Sequence, residues 1–372
     1  KSTLMDSIKI KLDTLTPVHV GSGELLNHNY DYLTFPTEEV IAVLDTPKLL
    51  EVIGVENIDH WVSTIDKREQ LLPYLKKRSN NLQPKDIAQR LIFPAPRLPQ
   101  GDTTIREQLH LGSQRQAIIP GSSLKGSIRT ALLNRLIERS PGFIKKDERN
   151  LKNRKGRYAA DQIEANYFGA QLGRDGNPRF PMRLEPKRDV LRLLRVGDFY
   201  FDVNTEVHYN QIVNLYRVDW QSTPRESSYY ECIPKGAVST GRWQIPQRLL
   251  KQVTFKKAIT TALDMVDKHR IFATINTHTK TLLEREIGYW ENEDDPVVLE
   301  DYLVYLRQLV QVIEQCTKEQ CVLRVGAGSG WEYMTGAWAA RQLNGEYALS
   351  DYTWRNLRKQ IHRKDYGDID FP

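Results

Sequence analysis

The sequence predicts an α+β fold of two successive modules, each mixing strands and helices, with glycine-rich loops and insertions. Three observations carry this expectation. Strand and helix patterns occur in two sets along the chain, one before about residue 200 and one after it. The strand patterns are short and show a two-residue period, whereas the helical patterns present one broad apolar face. Glycine-containing turns follow apolar runs at 119–123 and at 325–330.

The elements follow in order. Ile8, Ile10 and Leu12 alternate with Lys9, Lys11 and Asp13, so a strand is expected over 7–20. Strand-like runs follow near 30–35 and 38–44, and Thr46-Pro47 starts a helix, because proline is well tolerated at a first helical position. Segment 60–112 is broken by Pro94-Ala95-Pro96 and Pro99-Gln100-Gly101 and reads as an irregular insertion on the domain surface. A helix from Leu124 to about Arg139 follows, with Leu124, Ile128, Ala131 and Leu132 facing a core. Residues 140–185, rich in glycine, proline and charge, read as a basic loop. In the second set Phe199, Phe201 and Val203 alternate with polar positions, and strand-like runs follow at 212–218 and 228–234. Pro246 starts a helix, and another over 297–316 carries Leu299, Leu303, Leu306, Val310 and Ile313 on one face. Cys321 to Val325 reads as a strand leading into the last glycine loop. On this reading the modules are 1–200 and 201–372.

A chain of 372 residues with 40% hydrophobic and 27% charged content suits a globular protein with a substantial core. No apolar run approaches the roughly 18 residues of a membrane span, and no signal-peptide pattern occurs. The three cysteines, Cys232, Cys316 and Cys321, form no CxxC pair, and the eight histidines show no H-E-x-x-H spacing. A cytoplasmic protein with no metal, no cofactor and no membrane partner is expected.

Net charge is +6, but residues 85–160 hold 16 Lys/Arg against 6 Asp/Glu, a local balance of +10 that leaves −4 for the rest. Within this stretch Arg154-Lys155-Gly156-Arg157 lies in a run of little apolar content. Such an excess suits an anionic polymer. Glu284, Glu286, Glu291, Glu293, Asp294 and Asp295 form an acidic stretch that reads as solvated surface turned away from it.

The most informative segment is Ile118 to Thr130. Pro120, Gly121, Ser122 and Ser123 join an apolar run to a helix, and Lys125 and Arg129 stand one turn apart within it. Helix-start amides with two cations at i and i+4 suit a phosphate backbone. A nucleotide-binding P-loop is excluded, because Gly126 is followed by Ser127-Ile128 where Lys-Ser/Thr is required. Gly326-x-Gly328-x-Gly330 likewise fails as a dinucleotide fingerprint, since its third glycine comes one position early and Trp331 stands where Gly or Ala belongs. Trp331 and Tyr333 have the chemistry to stack on bases or to pack a core.

Four segments taken together carry a family resemblance: Leu15-Thr16-Pro17-Val18-His19-Val20-Gly21-Ser22-Gly23, the turn from Ile119 to Arg129, Leu194-Arg195-Val196-Gly197-Asp198, and Arg324 to Trp331. In this order they resemble the RAMP superfamily of CRISPR effector subunits, with Gly197 replacing a serine of one branch. Order and spacing look most like the fifth subunit of type III-A (Csm) complexes. The resemblance implies two modules of ferredoxin-like, RRM-like type. It also implies a non-catalytic subunit that caps the 3′ end of the CRISPR RNA and contributes to guide maturation and complex assembly. The partners implied are the CRISPR RNA, the neighbouring backbone RAMP subunit and the small helical subunit. RNA would meet His19, Gly21 and Ser22, the turn residues Gly121, Ser122, Ser123, Lys125 and Arg129, and the basic Arg154, Lys155 and Arg157, which would order on binding it. The loop Arg324, Gly326, Gly328, Ser329, Gly330 and Trp331 would line the same cleft. Two alternatives stay open: a metal-independent endoribonuclease using His19 as general base, and the counterpart subunit of a type III-B or III-D complex.

Overall fold

The computed structural model describes residues 6–67, 69–94, 98–99, 101, 103–112, 115–139, 161–169, 171–172, 186, 189–202, 205, 207–212, 228–245, 253–254, 267–291, 299–330 and 333. Strands and helices are mixed throughout, as the sequence predicts. The chain divides into two compact units. One is 11–119 with 199–240, the sheet unit, and the other is 1–10, 120–198 and 241–372, the helical unit. This division interleaves the chain, where the sequence suggested consecutive modules meeting near 200.

In the sheet unit, strands β2 (Gly21–Asn27), β3 (Tyr32–Phe35), β4 (Val40–Leu44), β5 (Ala88–Pro94), β6 (Thr104–Gln108), β12 (Val207–Ile212) and β13 (Ser228–Cys232) form one sheet. Its order is β2-β6-β13-β12-β5-β4-β3. The segment 60–112, expected to be an irregular insertion, instead supplies two strands of this sheet. β5 pairs in parallel with β12 and antiparallel with β4, and β6 lies between β2 and β13. The prolines that suggested irregularity mark the end of β5 rather than its absence. Helices α1 (Thr46–Ile53), α2 (Ile58–Asp66), α3 (Leu71–Arg78) and α4 (Pro84–Ile87) connect β4 to β5. Asp45 caps α1 by accepting from the Lys48 amide at 3.2 Å, and Pro47 occupies its first turn. Leu49, Ile53, Leu71, Leu75 and Ile87 pack on Leu33, Phe35, Val40 and Ala42, one face of the sheet. The alternate residues Tyr32, Ile41, Val43, Ile92 and Ile105 form a second cluster on the other face. β4 is therefore apolar on both sides, which is why it reads as a continuous run. Short strands β7 (His110–Leu111), β8 (Gln116–Ile119) and β11 (Phe199–Tyr200) form a smaller sheet, with Phe199 and Phe201 buried and Tyr200 exposed.

β10 (Arg195–Val196) of the helical unit pairs antiparallel with β14 (Val238–Ile245), and β1 (Asp6–Asp13) is the third strand of that sheet; β1 and β14 each cross the unit boundary, at 10/11 and 240/241. β1 ends at Asp13, short of the expected 20. The dipeptide strands β9 (Gln171–Leu172) and β15 (Val253–Thr254) pair with each other. The long helices are α5 (Gly121–Arg139), α7 (Lys268–Glu291) and α8 (Glu300–Glu314), with α6 (Asp161–Phe168) between α5 and β9. α6 falls inside the stretch expected to be loop. The helix expected from Pro246 through Leu249, Leu250 and Val253 is not seen at Val253, which lies in strand β15, while 246–252 lie outside the described residues. α8 matches its predicted face, packing Leu306 and Ile313 against Leu283 of α7. Among the described residues no helix is long and apolar enough to cross a membrane.

Candidate nucleic-acid interface

The turn that starts α5 is held from several sides. The Pro120 carbonyl accepts from the amides of Ser123 (3.0 Å) and Leu124 (3.3 Å). Gly121 must be glycine, because a Cβ there would stand 2.2 Å from the Val196 carbonyl oxygen and 2.8 Å from that of Gly197. Its amide donates to Asp198 Oδ1 at 2.8 Å. The strand-like Leu194–Asp198 segment is thus the wall against which the turn is built, and its carboxylate meets the positive end of the helix. Gly121 serves close packing rather than an open cradle. Ser122 is the exposed residue of the turn.

Lys125 and Arg129 share a helix face but not a fate. Arg129 donates from Nη1 to Asp189 Oδ2 at 2.7 Å and from Nη2 to Glu164 Oε2 at 2.8 Å. Its guanidinium also lies 4.2 Å from the centre of the Phe168 ring. Burial works against its charge, but Asp189 and Glu164 outweigh it and hold the guanidinium above its usual pKa. The residue expected to grip phosphate therefore ties α5 to α6 and to the turn before β10. Lys125 has no carboxylate partner within salt-bridge distance among the described residues. Burial pushes its pKa down, Asp189 opposes this, and Arg129 and Arg195 add to it. It is a half-buried cation whose charge is disfavoured chiefly by burial, which a bound anion would relieve.

The glycine loop is a self-stapled turn. Gly326, Gly328 and Gly330 all have positive φ (93°, 74° and 84°), which side chains disfavour. Ser329 is buried and donates to the Gly326 carbonyl at 2.6 Å. Arg324 donates to the Gly328 carbonyl and to Glu286, each at 3.1 Å, and lies over the Tyr333 ring at 4.8 Å. Tyr333 is core, packed with Leu282. Cys321–Val325, expected to be a strand, is not one. Its backbone is held by side chains of α7, with Asn276 Oδ1 accepting from the Val322 amide and Thr279 donating to the Val322 carbonyl. The acidic stretch also has internal partners: Glu286 pairs with Arg324, Glu291 with Arg307 and Glu284 with Lys280. Trp331, Arg154, Lys155 and Arg157 lie outside the described residues, as do Glu293, Asp294 and Asp295.

His19, Gly21 and Ser22 belong to the sheet unit, whereas the turn at 121–129 and the loop at 324–330 belong to the helical unit. His19 is buried, and its Nδ1 donates to the Glu231 carbonyl at 2.7 Å. Its ring meets Tyr230 edge-on at 4.9 Å. Burial pushes its pKa below the usual value, against the pull of Glu231, so the imidazole is neutral near neutral pH. Beneath it lies a polar network that sequence reading missed. Arg90 donates from Nε and Nη2 to both oxygens of Glu231 (2.7 and 2.9 Å) and from Nη2 to Glu107 (2.9 Å). Glu231 is fully buried and also accepts from the Gln108 amide at 3.0 Å. Ser22 donates to the second oxygen of Glu107 at 2.8 Å, which fixes the turn after His19.

One group among the described residues has metal-ligand composition: Glu107, His110 and Glu231, whose donor atoms lie within 4.8 Å of one another. His110 Nδ1 bonds the Gln108 carbonyl at 2.7 Å, and Nε2 faces Glu231 at 3.7 Å. Arg90 already occupies both carboxylates and supplies the positive charge that an ion would bring. The trio is a charge-paired cluster, and Glu231 lies more than 120 residues beyond the Glu107–His110 pair, too far for motif spacing to reveal it.

The profile of the RAMP superfamily matches residues 11–331. Among solved structures, the chain is similar to one in the cryo-EM structure of a Csm–crRNA–target RNA ternary complex of a type III-A CRISPR-Cas system. The TM-score is 0.68 at 20% identity, covering 94% of this chain and 90% of that one. It is also similar to the crystal structure of T. onnurineus Csm5, with a TM-score of 0.63 at 22% identity, covering 86% of this chain and 90% of that one. No curated protein matches significantly in sequence.

Proposed function

The chain belongs to the RAMP superfamily, and on that premise we propose that it is a non-catalytic RNA-binding subunit of a type III-A CRISPR effector complex, capping the 3′ end of the guide RNA. The observation that carries this reading is Lys125: a cation without a carboxylate partner among the described residues, one helical turn from the exposed Ser122. Ser122 and Lys125 at i and i+3 face the same side of α5 and suit one phosphate group. Arg129 buttresses this site rather than touching RNA. A phosphate grip reads no sequence, which fits a subunit that must accept many guides. The fold similarity to chains of Csm structures supports the subunit role. The CRISPR RNA, the neighbouring backbone RAMP subunit and the small helical subunit are the proposed partners, in the cytoplasm.

The competing reading is an endoribonuclease with His19 as base. The buried ring, its Nδ1 bond to a backbone carbonyl and its edge contact with Tyr230 favour a structural histidine instead. The deciding experiment mixes the purified chain with end-labelled single-stranded guide RNA and compares the native protein with Lys125→Ala and His19→Ala. Salt-sensitive binding weakened in Lys125→Ala, with RNA intact throughout, is expected. Cleavage abolished by His19→Ala would overturn the reading.

A further inference from the structure

Three arginines of the sheet and helical units have described surroundings of contrasting kind. Arg90 and Arg129 are each clamped by two carboxylates. Arg106, in β6, is exposed and has no carboxylate partner among the described residues. Its guanidinium instead lies 5.7 Å from the centre of the Tyr230 ring. Register explains the pairing. Arg106 is the parallel partner of Tyr230 in β13 and the antiparallel partner of Leu25 in β2, and paired residues point to the same face of a sheet. That row lies on the face opposite the Ile105–Ile92 cluster. Helices cover this face at the β3–β5 end, through Leu33, Ala42 and their partners. At the β2 end Leu25 is 47% exposed and Arg106 is open. Tyr230 in turn holds His19 by its edge.

We infer that Arg106, backed by Tyr230 and flanked by Leu25, is a stacking platform for an unpaired base of single-stranded RNA. This deepens the proposed function and rests on it. A guanidinium plane laid over an aromatic ring presents a flat, weakly hydrated cationic surface, the kind on which splayed-out bases stack. The exposed Leu25 side chain supplies an apolar border. An acidic protein segment would find one charge here but, among the described residues of this row, no second cation, so a base with its adjoining phosphate is the better match. The platform differs in kind from the Lys125 site: it needs the base, whereas Lys125 needs only the phosphate.

The test measures affinity of the full chain for two oligomers of equal length and charge, oligouridylate and its abasic ribose-phosphate counterpart. Native protein, Arg106→Lys, Tyr230→Leu and Lys125→Ala are compared. Arg106→Lys keeps the charge and loses the plane, so it is expected to weaken oligouridylate binding about fivefold or more and leave the abasic oligomer unchanged. Tyr230→Leu is expected to do the same, and Arg106→Lys is the variant that leaves the core intact. Lys125→Ala is expected to weaken both oligomers equally. If the native chain binds neither oligomer, the proposed function fails and this inference with it. If binding is present and Lys125-dependent, but Arg106→Lys binds both oligomers as the native chain does, or loses both equally, the platform is overturned while the proposed function stands.

Discussion

The helical unit and the sheet unit each clamp one arginine between two carboxylates, and the clamps differ in how much water they see. In the sheet unit Arg90, Glu107 and Glu231 have side chains 11%, 15% and 0% exposed. In the helical unit Arg129, Glu164 and Asp189 are 22%, 35% and 21% exposed. Beside each clamp stands a cation without a carboxylate partner among the described residues, Arg106 in one and Lys125 in the other. The clamps hold elements together, and the two cations outside them are the proposed RNA contacts, Lys125 for a phosphate and Arg106 for a base. A count of basic residues cannot separate these roles. Geometry does.

The largest expected effect breaks the buried clamp. Arg90→Met leaves Glu231 charged, fully buried and without its main partner, which costs about 3–5 kcal/mol. The unfolding midpoint in urea checks it. A loss below about 1 kcal/mol would mean that the network is not a core element. Burial acts on histidine too, and here the helical unit gives the cleaner case. His278 has its pKa lowered to about 4 by burial, with Arg285 adding to it. The unfolded chain binds that proton near pH 6.5 and the folded chain does not. Stability is therefore full above about pH 6.5 and falls as pH drops toward 4, by about 3 kcal/mol. His278→Gln is expected to flatten this acid limb. His19 and His110, also depressed by burial, push in the same direction from the sheet unit.

A smaller effect is expected at the more exposed clamp. Arg129→Ala removes two charge-assisted bonds and the contact with Phe168, with an expected loss of about 1–2 kcal/mol. A loss as large as that of Arg90→Met would erase the contrast between the units. Smallest of all, Lys125→Ala is expected to change stability by no more than about 0.5 kcal/mol, because no described partner is lost.

Much of the fold was readable where a signal is local. The alternation of Ile8, Ile10 and Leu12, the Pro47 helix start and the apolar face of α8 depend on neighbours a few residues away. The Arg90–Glu231 bond spans 141 residues and the Arg129–Asp189 bond 60, so no window on the sequence connects them. That is why Arg129 reads as a phosphate ligand from its helix and as a tie from its contacts. β5 is hard to read in the sequence because the prolines at and after its end outweigh its short apolar run. Cys321–Val325 reads as a strand from its short apolar run, but side chains on α7 rather than a neighbouring strand satisfy the Val322 backbone. The RAMP-type motifs were legible as short strings, but the roles of their members were not. Gly121 proves to be a packing glycine and Ser22 a tie to Glu107.

The most direct test is the salt dependence of single-stranded guide RNA binding by the native chain, Lys125→Ala and Arg129→Ala. The account predicts that Lys125→Ala lowers affinity and flattens the slope of log K against log salt by about 0.7, while Arg129→Ala keeps the native slope. A slope flattened by Arg129→Ala and untouched by Lys125→Ala would contradict it.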